Sequence, residues 1–175
     1  MRRAGSAAAQ LAVQPRNSSK STMSSTLDLE PPHLKLEQNI AFQMASIIFR
    51  MEQDLRNFTL RKLDITYIHF RVLQYLLEED GKNISEIARA TAVRPAVLSR
   101  VVSQMEERGL VERRDDPNDN RSTRVYLTEL GHKKYTQAWP DAYRIIQNAF
   151  GVLTEDEREA LETSLKRVAD HVCRF

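Results

Sequence analysis

The stretch ISEIARATAVRPAVLSRVVSQMEERGLVERRDDPNDNRSTRVYLTELG, residues 84–131, carries the signals that decide the fold. Ser85 reads as the N-cap of a short helix ending near Thr91, with Glu86 in its first turn, where a carboxylate meets the positive end of the helix dipole. Ala92, Val93 and Arg94 then make a three-residue turn. Pro95 suits the first position of a second helix because it has no amide hydrogen to lose there. That helix runs to Arg108 and stops at Gly109. Two runs of β character follow, Leu110 to Arg113 and Arg124 to Leu127, separated by a charged loop with Asp-Pro-Asn-Asp turn chemistry. Two short helices, a tight turn and an immediate hairpin describe a winged helix-turn-helix.

Longer helices flank this unit. Leu36, Ile40, Met44, Ile47, Ile48, Met51, Leu55 and Phe58 recur at steps of three and four, predicting one long helix with an apolar stripe. A further helix is expected from Thr66 to Glu79, with Ile68, Val72, Leu73, Leu76 and Leu77 inside and Gly81 beyond its end. After the wing, Thr128 caps a helix that Pro140 should kink. Thr154 and Glu157 form a capping box for a last helix through Leu161, Leu165, Val168, Ala169 and Val172.

The expected fold is therefore mainly α with a small β-hairpin wing. The winged helix-turn-helix spans 65–128 of a domain covering 33–175, and the helices at 33–60 and 129–175 carry more apolar surface than so small a unit can cover. A second copy of the chain is the natural cover, so those helices read as dimerisation elements of a homodimer. Residues 1–32 are rich in Ser, Ala and Pro; up to residue 27 they hold Arg2, Arg3, Arg16 and Lys20 and no acid, and they read as a disordered basic tail. Without those four cations the formal net charge of +2 becomes about −2, so the position of the arginines matters more than the total.

The second helix of the pair carries the chemistry. Leu98, Val101, Val102 and Met105 fall on one face and hold it to a core, which leaves Ala96, Ser99, Arg100 and Ser103 on the other. A helix entering a major groove about 12 Å wide needs small neighbours and a donor that reaches base edges, arginine to guanine being the commonest. Pro95 leaves first-turn amides directed at a phosphate, and Arg94 beside it reaches the backbone. The arginines of the wing suit the narrow minor groove alongside, with Asp119 bracing Arg121 so that its guanidinium is presented, and Arg124 a further contact. Arg113 and Arg124, on the strands, are equally suited to pairing with acids of the wing, and Arg114 likewise. The candidate DNA-contacting set is Arg94, Pro95, Ala96, Ser99, Arg100, Ser103, Asp119, Arg121 and Arg124.

The same residues resemble the signature region of the MarR (multiple antibiotic resistance regulator) family, in the GLVER step, the DPxDxR wing and the LTxxG restart. The resemblance extends more loosely from about residue 35 to the end. It implies a dimeric winged helix protein in which the first and last helices interlock, and release from DNA on binding a small aromatic or anionic ligand. By the resemblance, Arg121 matches the wing arginine and Asp119 the wing aspartate. Asn120 stands where arginine is frequent, and Arg94 where a small capping residue is usual.

The function expected is that of a ligand-responsive repressor on a palindromic operator in double-stranded DNA. Arg50, Tyr67, His69, Tyr135 and Trp139 mix aromatic surface with polar handles and form the candidate ligand set. A thiol- or peroxide-sensing regulator of the same fold, or a winged-helix protein-interaction module, are the alternatives. The first is disfavoured because the single cysteine, Cys173, sits at the far C-terminus. No HExxH, P-loop, GxSxG or Rossmann glycine pattern is present, so neither an enzyme nor a cofactor is expected. Nor is a metal or a membrane partner, and a cytoplasmic location is the expectation.

Overall fold

The computed structural model describes residues 35–116 and 119–172, with side chains throughout save at 119–122. A 3₁₀ turn, Leu36–Gln38, precedes helix α1, Ile40–Leu55, which leads through a π-type turn, Arg56–Leu60, toward α2, Tyr67–Glu78. Strand β1, Lys82–Asn83, is followed by α3, Ile84–Thr91, α4, Pro95–Glu107, β2, Val111–Asp116, and β3, Asp119–Leu127. Helices α5, Glu129–Phe150, and α6, Glu155–Val172, complete the chain. The three strands form one antiparallel sheet in the order β1-β3-β2.

Several local expectations are revised. The cap of α3 is Asn83, not Ser85: its side-chain oxygen accepts from the Glu86 amide at 3.0 Å and the Glu86 carboxylate accepts from the Asn83 amide at 2.9 Å. Pairing of Asn83 with Arg124 in the sheet holds Asn83 extended, so the helix starts where the strand ends. The long helix expected from Leu36 is interrupted at Asn39, whose side chain caps α1 by accepting from the Phe42 amide. Leu77 is exposed, and the buried face of α2 holds His69 and Phe70 with Val72, Leu73 and Leu76. Pro140 lies inside α5, as the sequence indicates. The caps read at Thr128 and Thr154 are present, Thr128 accepting from the Gly131 amide at 3.0 Å.

The charged segment expected as a long loop is mostly strand. Pairing from Val111 with Leu127 out to Asp115 with Thr123 is unbroken, and an irregularity at Asp116 leads into the tip. Cross-strand bonding overrides the poor strand propensity of these residues, as it does where a neighbour supplies the partners. Pro117, Asn118 and Cys173 lie outside the described residues.

The core explains the architecture. Val72, Leu73 and Leu76 of α2, Ile87 of α3, Leu98, Val102 and Met105 of α4, and Val111 and Val125 of the sheet are essentially inaccessible and belong to one cluster. Each such side chain contributes about 1.5–3 kcal/mol by burial. Against this cluster α5 docks through Tyr135, Ala138 and Ala142, and its first turn is pressed onto the chain leaving α4. A Cβ on Gly131 would lie 2.1 Å from the carbonyl oxygen of Leu110, while Thr128 donates to the Gly109 carbonyl at 2.7 Å. The LTxxG restart is thus a cap plus a close approach.

Because the obstacle at Gly131 is main chain and cannot swing aside, Gly131→Ala should destabilise the protein by about 1–3 kcal/mol, the range for overpacking. Urea unfolding followed by circular dichroism checks this. A midpoint equal to that of the parent chain would show that α5 does not dock as described.

Candidate nucleic-acid interface

Helix α4 is anchored on one side and open on the other. Leu98, Val102 and Met105 are inaccessible, and Val101 is half-buried, as the spacing requires. Arg94, Pro95, Ala96, Ser99 and Arg100 are exposed, with Val97 beside them. Arg94 is the N-cap residue and forms no side-chain cap, and Pro95 occupies the first turn. Among the described residues, no ion pair engages Arg94 or Arg100. The ridge is narrow, bears two exposed guanidinium groups and begins at a helix N-terminus, an arrangement able to meet phosphate and base edges together.

Ser103 stands apart from this set. Its hydroxyl donates to the Ser99 carbonyl at 3.0 Å and accepts from Arg113 Nη2 at 3.1 Å, so its hydrogen-bonding capacity is used within the protein. Arg113 pairs with Glu106 of α4 at 2.8 Å rather than with an acid of the wing. The involvement of Arg113 and Glu106 is not legible from spacing, because their interaction crosses the helix end and the turn at Gly109.

Arg124 is held at both ends of its guanidinium, donating from Nε to Asp116 at 2.6 Å and from Nη1 to the Gly81 carbonyl at 3.0 Å. The hydrogen bond and charge of Asp116 raise its pKa further. An arginine so placed stiffens the wing, tying β3 to the turn before β1. Arg114 is exposed, pairs with Glu112 and lies 4.5 Å above the Tyr126 ring. The side chains of Asp119 and Arg121 lie outside the described residues; only their place on β3 is described. The brace seen in the described wing is Asp116 with Arg124.

A second concave feature lies between α1, α2 and α5, a cleft of about 290 Å³. Tyr67 and Trp139 line it, with Met51, Phe70, Gln74 and Ile146 among the other lining residues. Tyr135 is buried behind, stacked between Phe70 at 5.2 Å and Trp139 at 5.8 Å, and burial pushes its hydroxyl pKa up. Two of the ligand candidates are elsewhere. Arg50 is exposed and outside the lining. His69 is buried and completes a capping box, Nδ1 accepting from the Thr66 amide at 3.3 Å while its own amide donates to Thr66 Oγ1 at 3.2 Å. Gln74 gives no periodic or motif signal, yet it is an amide facing an apolar cleft.

A family model described as MarR family matches residues 63–122. The HTH-type transcriptional repressor NicR of Pseudomonas putida is 32% identical over 106 residues, which cover 61% of this chain and 67% of NicR. A crystal structure of a MarR-family transcriptional regulator from Silicibacter pomeroyi superposes with a TM-score of 0.73 at 29% identity, covering 82% of this chain and 96% of that one. A mutant of MarR from E. coli, complexed with operator DNA, gives a TM-score of 0.65 at 28% identity over 73% of this chain and 91% of its own.

The setting of His69 has a measurable consequence. Burial foremost, and then the charge of Arg108, lower its pKa below 6.5, whereas Asp64 opposes them. The folded protein therefore keeps the ring neutral to lower pH than the unfolded chain, which takes up a proton near pH 6.5, and stability falls as pH drops below that value. Asp141 and Glu157, whose pKa values are lowered from 3.8 and 4.5, act in the same sense but in a more acidic window. Urea midpoints should therefore decline between about pH 7 and pH 5, and His69→Gln, which keeps an acceptor for Thr66, should remove most of that decline. An unchanged slope in the variant would contradict this assignment.

Proposed function

The chain belongs to the MarR family of DNA-binding transcription regulators, and on that premise we propose that it acts as a homodimeric, ligand-responsive repressor on a palindromic operator. The observation that carries the reading is the ridge of α4, where Arg94 and Arg100 stand exposed beside Ala96 and Ser99, with no ion pair among the described residues. In this reading Arg100 reaches a base edge in the major groove, Arg94 and the first turn of α4 meet phosphate, and Arg121 enters the neighbouring minor groove.

Apolar exposure supports the homodimer. Ile40, Phe42, Met44, Ile47 and Phe49 of α1 are at least two-fifths exposed, and Val168 and Val172 of α6 more than half. Faces of this kind on terminal helices are what an isologous interface covers. A two-fold axis then sets two copies of α4 about 34–36 Å apart, one turn of DNA, which requires a palindromic site.

The cleft supports the effector. Its Tyr67, Phe70 and Trp139, the last two stacked on the buried Tyr135, suit a flat aromatic molecule, and Gln74 supplies a hydrogen-bonding handle. The ligand set in this reading is Tyr67, Gln74 and Trp139, with Tyr135 behind. An anionic effector gains no charged partner from the lining residues.

Selection of duplexes from random oligonucleotides, followed by fluorescence anisotropy, tests the proposal. The full chain should enrich a two-fold site and bind it far more tightly than random duplex. Arg100→Ala should lower affinity for that site by about 1–3 kcal/mol and relax one position in each half. Arg94→Ala should weaken binding to all sequences and reduce the salt slope by about 0.9 for each phosphate it no longer neutralises, hence about twice that per dimer. Equal affinity for selected and random duplex would overturn the reading.

A further inference from the structure

The pairing of Arg113 with Glu106 stands outside every function assigned so far. Arg113 is the third residue of β2, and Glu106 lies in the last turn of α4. Glu106 accepts twice from the same residue, from the Arg113 amide at 3.0 Å and from Nη1 at 2.8 Å. Arg113 Nη2 reaches on to the Ser103 hydroxyl at 3.1 Å and the Ser99 carbonyl at 3.3 Å. One side chain thus spans about two turns of α4, from Ser99 to Glu106, and joins them to the wing.

We infer that Arg113 and Glu106 are positioning residues that set the wing against α4 in the geometry DNA requires, without themselves contacting DNA. The bonding pattern argues for this. A carboxylate beside a DNA-reading face repels phosphate unless its charge is met, and Arg113 meets it at hydrogen-bonding distance. The pair is electrically neutral, so it displaces no counterion from DNA. The Arg113 side chain is 26% exposed and that of Glu106 37%, so the pair is shielded more than a fully solvated surface bridge. It is also the described polar link between the wing and the exposed side of α4. The other brace, Arg124 with Asp116 and Gly81, leads away from that helix.

The sign of one substitution separates positioning from charge. Glu106→Ala removes a negative charge near the interface, and electrostatics alone would make binding to any duplex tighter. A positioning role predicts the reverse for the selected duplex: affinity falls about tenfold, in the range for a broken coupled pair, with no weakening on random duplex and an unchanged salt slope. Arg113→Ala should weaken binding to the selected duplex likewise, again at unchanged slope.

Amide hydrogen exchange on the free full-length chain gives a second readout that needs no DNA. In Glu106→Ala the amides of Glu112, Arg113 and Arg114 should exchange at least about tenfold faster, while those of Leu73 and Leu76 in α2 keep their rates. Tighter or equal binding of Glu106→Ala to the selected duplex would overturn the inference. So would a salt slope reduced by about 0.9 or more in Arg113→Ala, the mark of direct phosphate neutralisation. Exchange that is unchanged at Arg113, or accelerated equally in α2, would overturn it too. Failure to select any duplex counts against the operator reading of the preceding subsection, and the exchange result then decides the present one.

Discussion

Helix α4 has to satisfy two surfaces at once, and the rest of the molecule follows from how it does so. Leu98, Val102 and Met105 lie on its inner face at zero accessibility, in contact with the cluster formed by α2, α3 and the sheet. Burial on that scale fixes the helix in rotation, so its outer face is no longer free to vary. What it shows outward is Arg94, Ala96, Ser99 and Arg100. The turn before it has its own cost, because Ala92 adopts a left-handed conformation with φ of 55°, which only glycine visits without strain. Helix α3 is held against that strain by the Asn83–Glu86 capping box at its start and the Thr91 hydroxyl bonded to Ile87 at its end.

The wing shows why a chain keeps so many charges on a projecting hairpin. Three of its described arginines are committed to partners: Arg113 to Glu106, Arg114 to Glu112 and Tyr126, and Arg124 to Asp116 and Gly81. A two-stranded ribbon alone is marginal in water, and these ties, together with the short pairing to β1, give it a fixed attitude. Much of the charge therefore stabilises the presentation of the wing rather than attracting DNA. Arg108 performs a comparable task at the base of α4, reaching Asp64 at 2.6 Å in the turn before α2.

What sequence alone conveys depends on whether the governing interaction is local. The buried face of α4, the stop at Gly109 and the caps at Thr128 and Thr154 are set within one or two turns, and each is legible. Interactions between distant segments are not. Asn83 caps α3 because its backbone is held by Arg124, forty-one positions away, so a reading of the cap from composition selects Ser85. Ser103 has the pattern of a free polar group, but Arg113 occupies it. His69 has the pattern of a ligand handle, yet its ring caps α2 at Thr66. Gln74 carries no pattern at all, and only the folding of α1 and α5 onto α2 gives it a cleft to face.

In the proposed arrangement the outer face of α4 reads DNA from the major groove, in duplicate. Methylation interference on the selected duplex addresses this directly, because guanine N7 lies in the major groove and adenine N3 in the minor. N7 methylation is expected to block binding at guanines in two clusters about 10–10.5 base pairs apart, related by two-fold symmetry. Interference confined to adenine N3, or found in a single cluster, would contradict it.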